Sequence, residues 1–248
     1  MDTLIYDGTF EGFLTAYSYN SLNTVQQFYL KSSTEQINLF VTSNRIVTKR
    51  SIAYNIWQKI EQRSSSMAKL IYFAFMSEEN EIEQKLEQVI TSLLGDSVNW
   101  ASDQVANKRL LEILYLKVNA EKNRLQRFTK FQPLTNGKLY AEFHPTYNTL
   151  PLITRNLKSE MPGANWIIWD TKRNYGIQCH NQTLTYIGAN NQIISNCKPN
   201  KIPNSNPIIT PSNKRKEYPK RNVNSRGALH GRTITSAKKE NRGYSVVA

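Results

Sequence analysis

Little in this chain of 248 residues is suited to holding a metal ion. Its two cysteines, Cys179 and Cys197, form no CxxC pair, and its three histidines, His144, His180 and His230, are scattered without ligand spacing. No metal or iron–sulfur site is expected, and no cofactor is implied. No apolar run approaches the length of a bilayer span, so no membrane partner is expected. The opening MDTLIYDG has neither a basic n-region nor an apolar h-region, which argues against export and for a cytoplasmic protein.

Acidic residues are scarce where cations gather. The formal net charge is +13, and from Cys197 onward 12 Lys and Arg face 2 acids, whereas residues 1–196 hold 20 against 17. Within that nearly neutral part, Arg124 to Arg173 carries eight basic residues and three acids, while Ser77 to Asp96 is acidic. A polyanion is therefore expected to meet the C-terminal half. An apolar fraction of 39% with 10% aromatics is ordinary for a soluble globular protein and predicts one folded domain.

Periodicity supplies the organisation. Leu4-Ile5-Tyr6 reads as a strand ending at Asp7-Gly8, and Phe10, Phe13, Leu14 and Tyr17 as an amphipathic helix capped by Thr9, with Glu11 at its positive end. Ile46-Val47-Thr48 is expected to be a short strand. Ile52, Ala53, Ile56, Trp57 and Ile60 predict a second helix, broken at Ser64 to Ser66. Met67, Leu70, Ile71, Ala74 and Phe75 predict a third. Ser77 is expected to cap a fourth, carrying Ile82, Leu86, Val89, Ile90 and Leu93 and stopped by Gly95. From Ser97 to about Asn123 a long helix is expected, with Val98, Val105, Leu110, Leu111, Leu114 and Val118 along it.

The period then changes. Phe128 to Phe131, the turn Thr135-Asn136-Gly137-Lys138 and the alternation Leu139, Ala141, Phe143 predict a hairpin, since Asn-Gly takes the positive φ of a type I′ turn. Thr149 and Pro151 open a short helix with Leu152, Ile153 and Leu157 on its buried side. Trp166 to Trp169, Tyr175 to Cys179 and Thr183 to Ile187 predict a meander. The fold class is α+β, helices first and an antiparallel sheet second, in one domain over residues 1–187. Residues 188–248 are expected to be a low-complexity basic tail, mostly disordered, because no sustained apolar period offsets the entropy of ordering them.

Three strings at close spacing, EKNRLQRFTKF, LYAEFHPTYNTLPL and NWIIWDTKRNYGI, between Glu121 and Ile177, together with YDGTFEGFLTA from Tyr6 to Ala16, resemble a known family. It is a bacterial family of DNA metabolism or repair proteins of unestablished activity, typically encoded beside a radical SAM protein and sometimes fused to a uracil-DNA glycosylase domain. The likeness covers roughly residues 1–187. It implies DNA, single-stranded DNA included, and a radical SAM protein as partners, and leaves the reaction and the oligomeric state open. In the family pattern histidines commonly occupy the places of Asn123, Tyr147 and Asn156. Asparagine can bond a phosphate or a base but cannot exchange a proton near neutral pH, so an enzymatic role is put in doubt. The segment YPKRNVNSR, Tyr218 to Arg226, resembles a basic stretch that leads into a helix in other members; Gly227, Gly231 and Gly243 argue against that helix here.

Each candidate residue has two readings. Arg124, Arg127 and Lys130, interleaved with Leu125, Phe128 and Phe131, either bind phosphates beside a stacking aromatic or form a solvated face over two core phenylalanines. Asp170 with Lys172 and Arg173 either performs acid/base or phosphate chemistry, or is a turn in which the carboxylate accepts backbone N–H bonds. Glu121 is either catalytic or paired with Arg124 along a helix. His144 is a general acid or base, or incidental. In the tail, Lys214-Arg215-Lys216 and Lys220-Arg221 suit any nucleic acid through counterion release. Three functions follow: a DNA-binding accessory protein, an enzyme of glycosylase or lyase type acting on damaged or modified DNA, and a basic protein-interaction module.

Overall fold

The computed structural model of the chain describes residues 2–22, 27–31, 43–95 and 102–188. Strand β1 (Asp2–Tyr6) leads through Asp7 and Gly8 into helix α1 (Phe10–Leu22), as the apolar spacing requires. Thr9 caps the helix, its Oγ1 accepting from the Gly12 N–H at 2.9 Å. Asp7 braces that cap, accepting from the Thr9 hydroxyl at 2.6 Å and from the Thr48 hydroxyl at 2.7 Å. A Cβ on Gly12 would lie 2.1 Å from Asp7 Oδ1, so any side chain there would push the bracing carboxylate out of place.

Two strands, β2 (Gln27–Lys31) and β3 (Ser43–Arg45), flank β1, both parallel to it, in the order β2-β1-β3. The strand expected at Ile46-Val47-Thr48 thus lies just before that triplet, on three polar residues. Backbone pairing fixes it: Ser43, Asn44 and Arg45 stand opposite Thr3, Leu4 and Ile5, and the Ile46 N–H continues the ladder to Ile5 O at 2.8 Å.

Helices α2 (Arg50–Arg63), α3 (Ser65–Ser77), α4 (Ile82–Leu94) and α5 (Ser102–Phe128) pack around β1 and α1 through Phe13, Trp57, Ile60, Ile71, Leu86, Ile90 and Leu111. Ser64 ends α2 and caps α3, accepting from the Met67 N–H. Ser77 does not cap α4. Its hydroxyl turns back to Ala74 O at 2.6 Å, and left-handed Glu78 and Glu81, at φ 53° and 57°, interrupt the helix before Ile82. Helix α5 runs past Asn123 to Phe128; the part expected from Ser97, with Val98, lies outside the described residues.

The second sheet has the order β4-β5-β6-β7-β8, from β4 (Gln132–Pro133), β5 (Leu139–Phe143), β6 (Trp166–Asp170), β7 (Tyr175–His180) and β8 (Thr183–Gly188). Its neighbours are antiparallel except β5 and β6, which run parallel because helix α6 (Leu150–Glu160) carries the chain back between them. One face buries Phe131, Leu157, Trp166, Ile168 and Ile177 with α6, and the other buries Tyr140, Ile167, Trp169 and Ile187. That two-sided burial is why β6 reads as the unbroken apolar run WIIW. The first hairpin is shorter than expected, with Phe128 in α5. Gly137 alone has positive φ (77°), and Leu134 N–H bonds Lys138 O at 2.8 Å around a three-residue loop, rather than a type I′ turn. The fold is α+β, with the helical part first and a mostly antiparallel sheet second. The expected tail from residue 189 on lies outside the described residues.

Candidate nucleic-acid interface

The β5–α6 loop, residues 144–149, is where the helical part and the sheet meet. Three anchors hold its backbone. Glu121, buried on the inner face of α5, accepts the Thr146 N–H at 2.9 Å and the Tyr147 N–H at 2.8 Å, one on each carboxylate oxygen. Met76 O, near the end of α3, accepts the Asn148 N–H at 2.9 Å. Arg173 closes the third side, bonding Thr146 O at 3.0 Å and Pro145 O at 3.4 Å.

Asp170 makes Arg173 available for that work. It ends β6 fully buried; Oδ1 accepts the Lys172 and Arg173 N–H groups at 2.9 and 3.0 Å, and Oδ2 receives Arg173 Nη1 at 2.9 Å. Arg173 also reaches across to Glu78 at the end of α3, Nη2 lying 2.7 Å from Oε2. Burial disfavours the charged guanidinium, but Glu78 and Asp170 outweigh it and raise its pKa above the ordinary value. With its side chain 12% exposed, Arg173 is a structural clamp. Asp170 adopts the turn-bracing arrangement, and Glu121 holds the loop as well as pairing with Arg124.

Other cations around the loop are open to solvent. Arg124 touches Glu121 at 3.3 Å yet keeps its side chain 63% exposed, and Arg127 and Lys130 are exposed beyond it. Lys172, also exposed, donates from Nζ to Thr146 O at 2.8 Å. Arg124 through Glu121, and Lys172 directly, are therefore brought to the same residue, Thr146. Arg127 follows one turn along α5. His144 is exposed beside them, its Nδ1 lying 2.9 Å from Thr171 Oγ1. The Thr171 hydroxyl donates to Phe143 O at 3.0 Å, which leaves its oxygen able to accept from His144 Nδ1.

Phe131 is fully buried, but Phe128 is 73% exposed. It continues the inward stripe of Leu111, Leu114, Val118, Glu121 and Leu125 beyond the point where the core ends, a position that became visible only once α5 was known to extend so far. Thr146 and Glu78 were also missed: their roles depend on backbone and long-range contacts that no local pattern encodes. Lys214, Arg215, Lys216, Lys220 and Arg221 lie outside the described residues. Among the described residues, no group of three His, Cys, Asp or Glu is placed to hold a metal, and no helix is long and apolar enough to cross a membrane.

No curated protein matches the sequence. A solved chain described as the DHH domain of a member of a ribosomal-protein family is 13% identical over 71% of this chain and 55% of its own length, with a TM-score of 0.26. This chain thus spans about half of that one, at a level of likeness that carries no argument. A family model described as a domain of unknown function, DUF4130, matches residues 84–226, taking in the loop, Glu121, Asp170, Arg173 and the exposed cations but not Met76 or Glu78, and the chain belongs to that family.

Proposed function

We propose that the protein is a nucleic-acid-binding accessory protein of bacterial DNA repair or base modification, acting with a radical SAM partner that supplies the chemistry. The observation that carries this reading is the division of labour around Thr146. Asp170, Glu121 and Arg173 are engaged in holding the chain together, while Arg124 and Lys172 keep exposed side chains beside the loop they help to anchor, and Arg127 and Lys130 are exposed farther along the chain from Arg124. Phosphate contacts need exposed cations on a fixed frame and no proton transfer. The basic segment from Lys214 to Arg221 adds charge within the span of the family match.

An enzyme running on Asp170 or Glu121 is disfavoured, because each carboxylate already accepts two backbone N–H bonds and an arginine contact. Binding of labelled oligonucleotides, followed by anisotropy at several salt concentrations, tests the proposal. Affinity should fall steeply with salt and fall again when Arg124, Arg127 and Lys172 are replaced by glutamate. Salt-independent binding, or none, would sink it. Nuclease-resistant co-purification with a radical SAM protein tests the partner.

A further inference from the structure

The geometry points to Phe128 as a base-stacking platform, and so to a single-stranded nucleic acid as the preferred ligand of this surface. The inference rests on the phosphate-binding reading and adds the class of strand. An aromatic ring 73% exposed gains little from burial in the fold, and nothing in the packing of α5 calls for it. Its support is nonetheless rigid. On one side Leu125 packs against the sheet core; on the other Thr129 is buried, with its hydroxyl bonded to Leu125 O at 2.5 Å, and Phe131 is wholly inside. The ring is thus held out on a fixed helix end, and binding a ligand has only its side-chain torsions, not its backbone, left to order.

Its neighbours identify the ligand. Arg124 precedes it by one helical turn, Arg127 is adjacent and Lys130 follows, all exposed. A lone aromatic set among cations is poorly matched to an apolar protein surface. It is well matched to a chain that offers negative phosphates and free π-faces together. A duplex presents the phosphates but stacks its base faces on one another, leaving no partner for the ring. A single strand presents both.

The full chain can be titrated with three probes of equal phosphate count: oligothymidylate, an abasic sugar-phosphate backbone, and a duplex. Oligothymidylate should bind tightest. Phe128→Ala should weaken it about tenfold and bring it to the abasic level, while Phe128→Trp keeps the affinity. Arg127→Glu should weaken all three probes. Because the ring is exposed, Phe128→Ala should melt with the parent. If Phe128→Ala binds oligothymidylate as the parent does while Arg127→Glu weakens every probe, stacking is wrong and phosphate binding stands. A parent that binds the duplex as tightly as oligothymidylate also overturns the inference. If neither variant changes anything, the inference and the reading beneath it both fail.

Discussion

At the loop of residues 144–149, Arg173 pairs with Asp170 and Glu78 and, with Glu121, holds the backbone at 2.7 to 3.4 Å, whereas Arg124 and Lys172 beside it, and Arg127 and Lys130 farther along the chain from Arg124, keep exposed side chains. Lys172 and Arg173 are neighbours in the chain and belong to different regions. The guanidinium turns inward, where its planar fork bonds two carboxylates and two carbonyls at once. The ammonium stays outside, resting on Thr146 O. Charge alone therefore does not mark a binding residue; what remains after the fold has used its share does.

The two regions should respond differently to mutation, and the largest response belongs to the interior. Arg173→Met leaves the buried Asp170 and its neighbour Glu78 without their cation, and urea unfolding should show a loss of about 3–5 kcal/mol. A loss under about 1 kcal/mol would erase the distinction between the clamp and the exposed cations. Next comes Glu121→Ala, which strands two backbone N–H groups of the loop and should cost about 2 kcal/mol in the same assay; Glu121→Gln, which keeps one acceptor oxygen, should cost less. Replacements of the exposed cations come third. Arg127→Ala and Lys172→Ala should each leave stability within about 0.5 kcal/mol of the parent while lowering the slope of log affinity against log salt by up to about 0.9.

The smallest effect is expected outside both regions, at Asp7. Burial pushes its carboxyl up, but hydrogen bonds from Thr9 and Thr48 together prevail and lower its pKa below the ordinary value. A depressed folded-state pKa means that the stabilisation is complete above the unfolded pKa, about 3.9, and is lost as pH falls through the folded value. The melting curves of the parent and Asp7→Asn should therefore differ slightly at neutral pH and converge in acid. A gap that widens in acid would reverse the assignment.

Much of the framework was legible in the sequence, and the failures have physical causes. The stripes of α2 to α4 and the buried strands β6 and β7 follow from local burial, which periodicity reads directly, while β8, with Ile187 its one buried residue, follows from its pairing with β7. Strand β3 was misplaced because Ser43, Asn44 and Arg45 are polar; register with β1 puts them there. Helix α5 outran its expected end because the inward stripe continues through Glu121 and Leu125 to Phe128, where an acid and an exposed aromatic break the apolar pattern. At the site, the turn role of Asp170 was one of the two readings its setting allowed, and the pairing of Glu121 with Arg124 was likewise one of two. The bonds from Glu121 to Thr146 and Tyr147, 25 and 26 residues away, had no local signal. Nor did the pairing of Arg173 with Glu78, which joins sheet to helices.

The most direct test is a salt titration of DNA binding by the full chain carrying Arg124→Glu, Arg127→Glu and Lys172→Glu together. The expected result is a protein that unfolds cooperatively like the parent but binds far more weakly, with a visibly shallower dependence on salt. A folded triple variant with the parent's affinity and slope would contradict the assignment of these cations to phosphate binding.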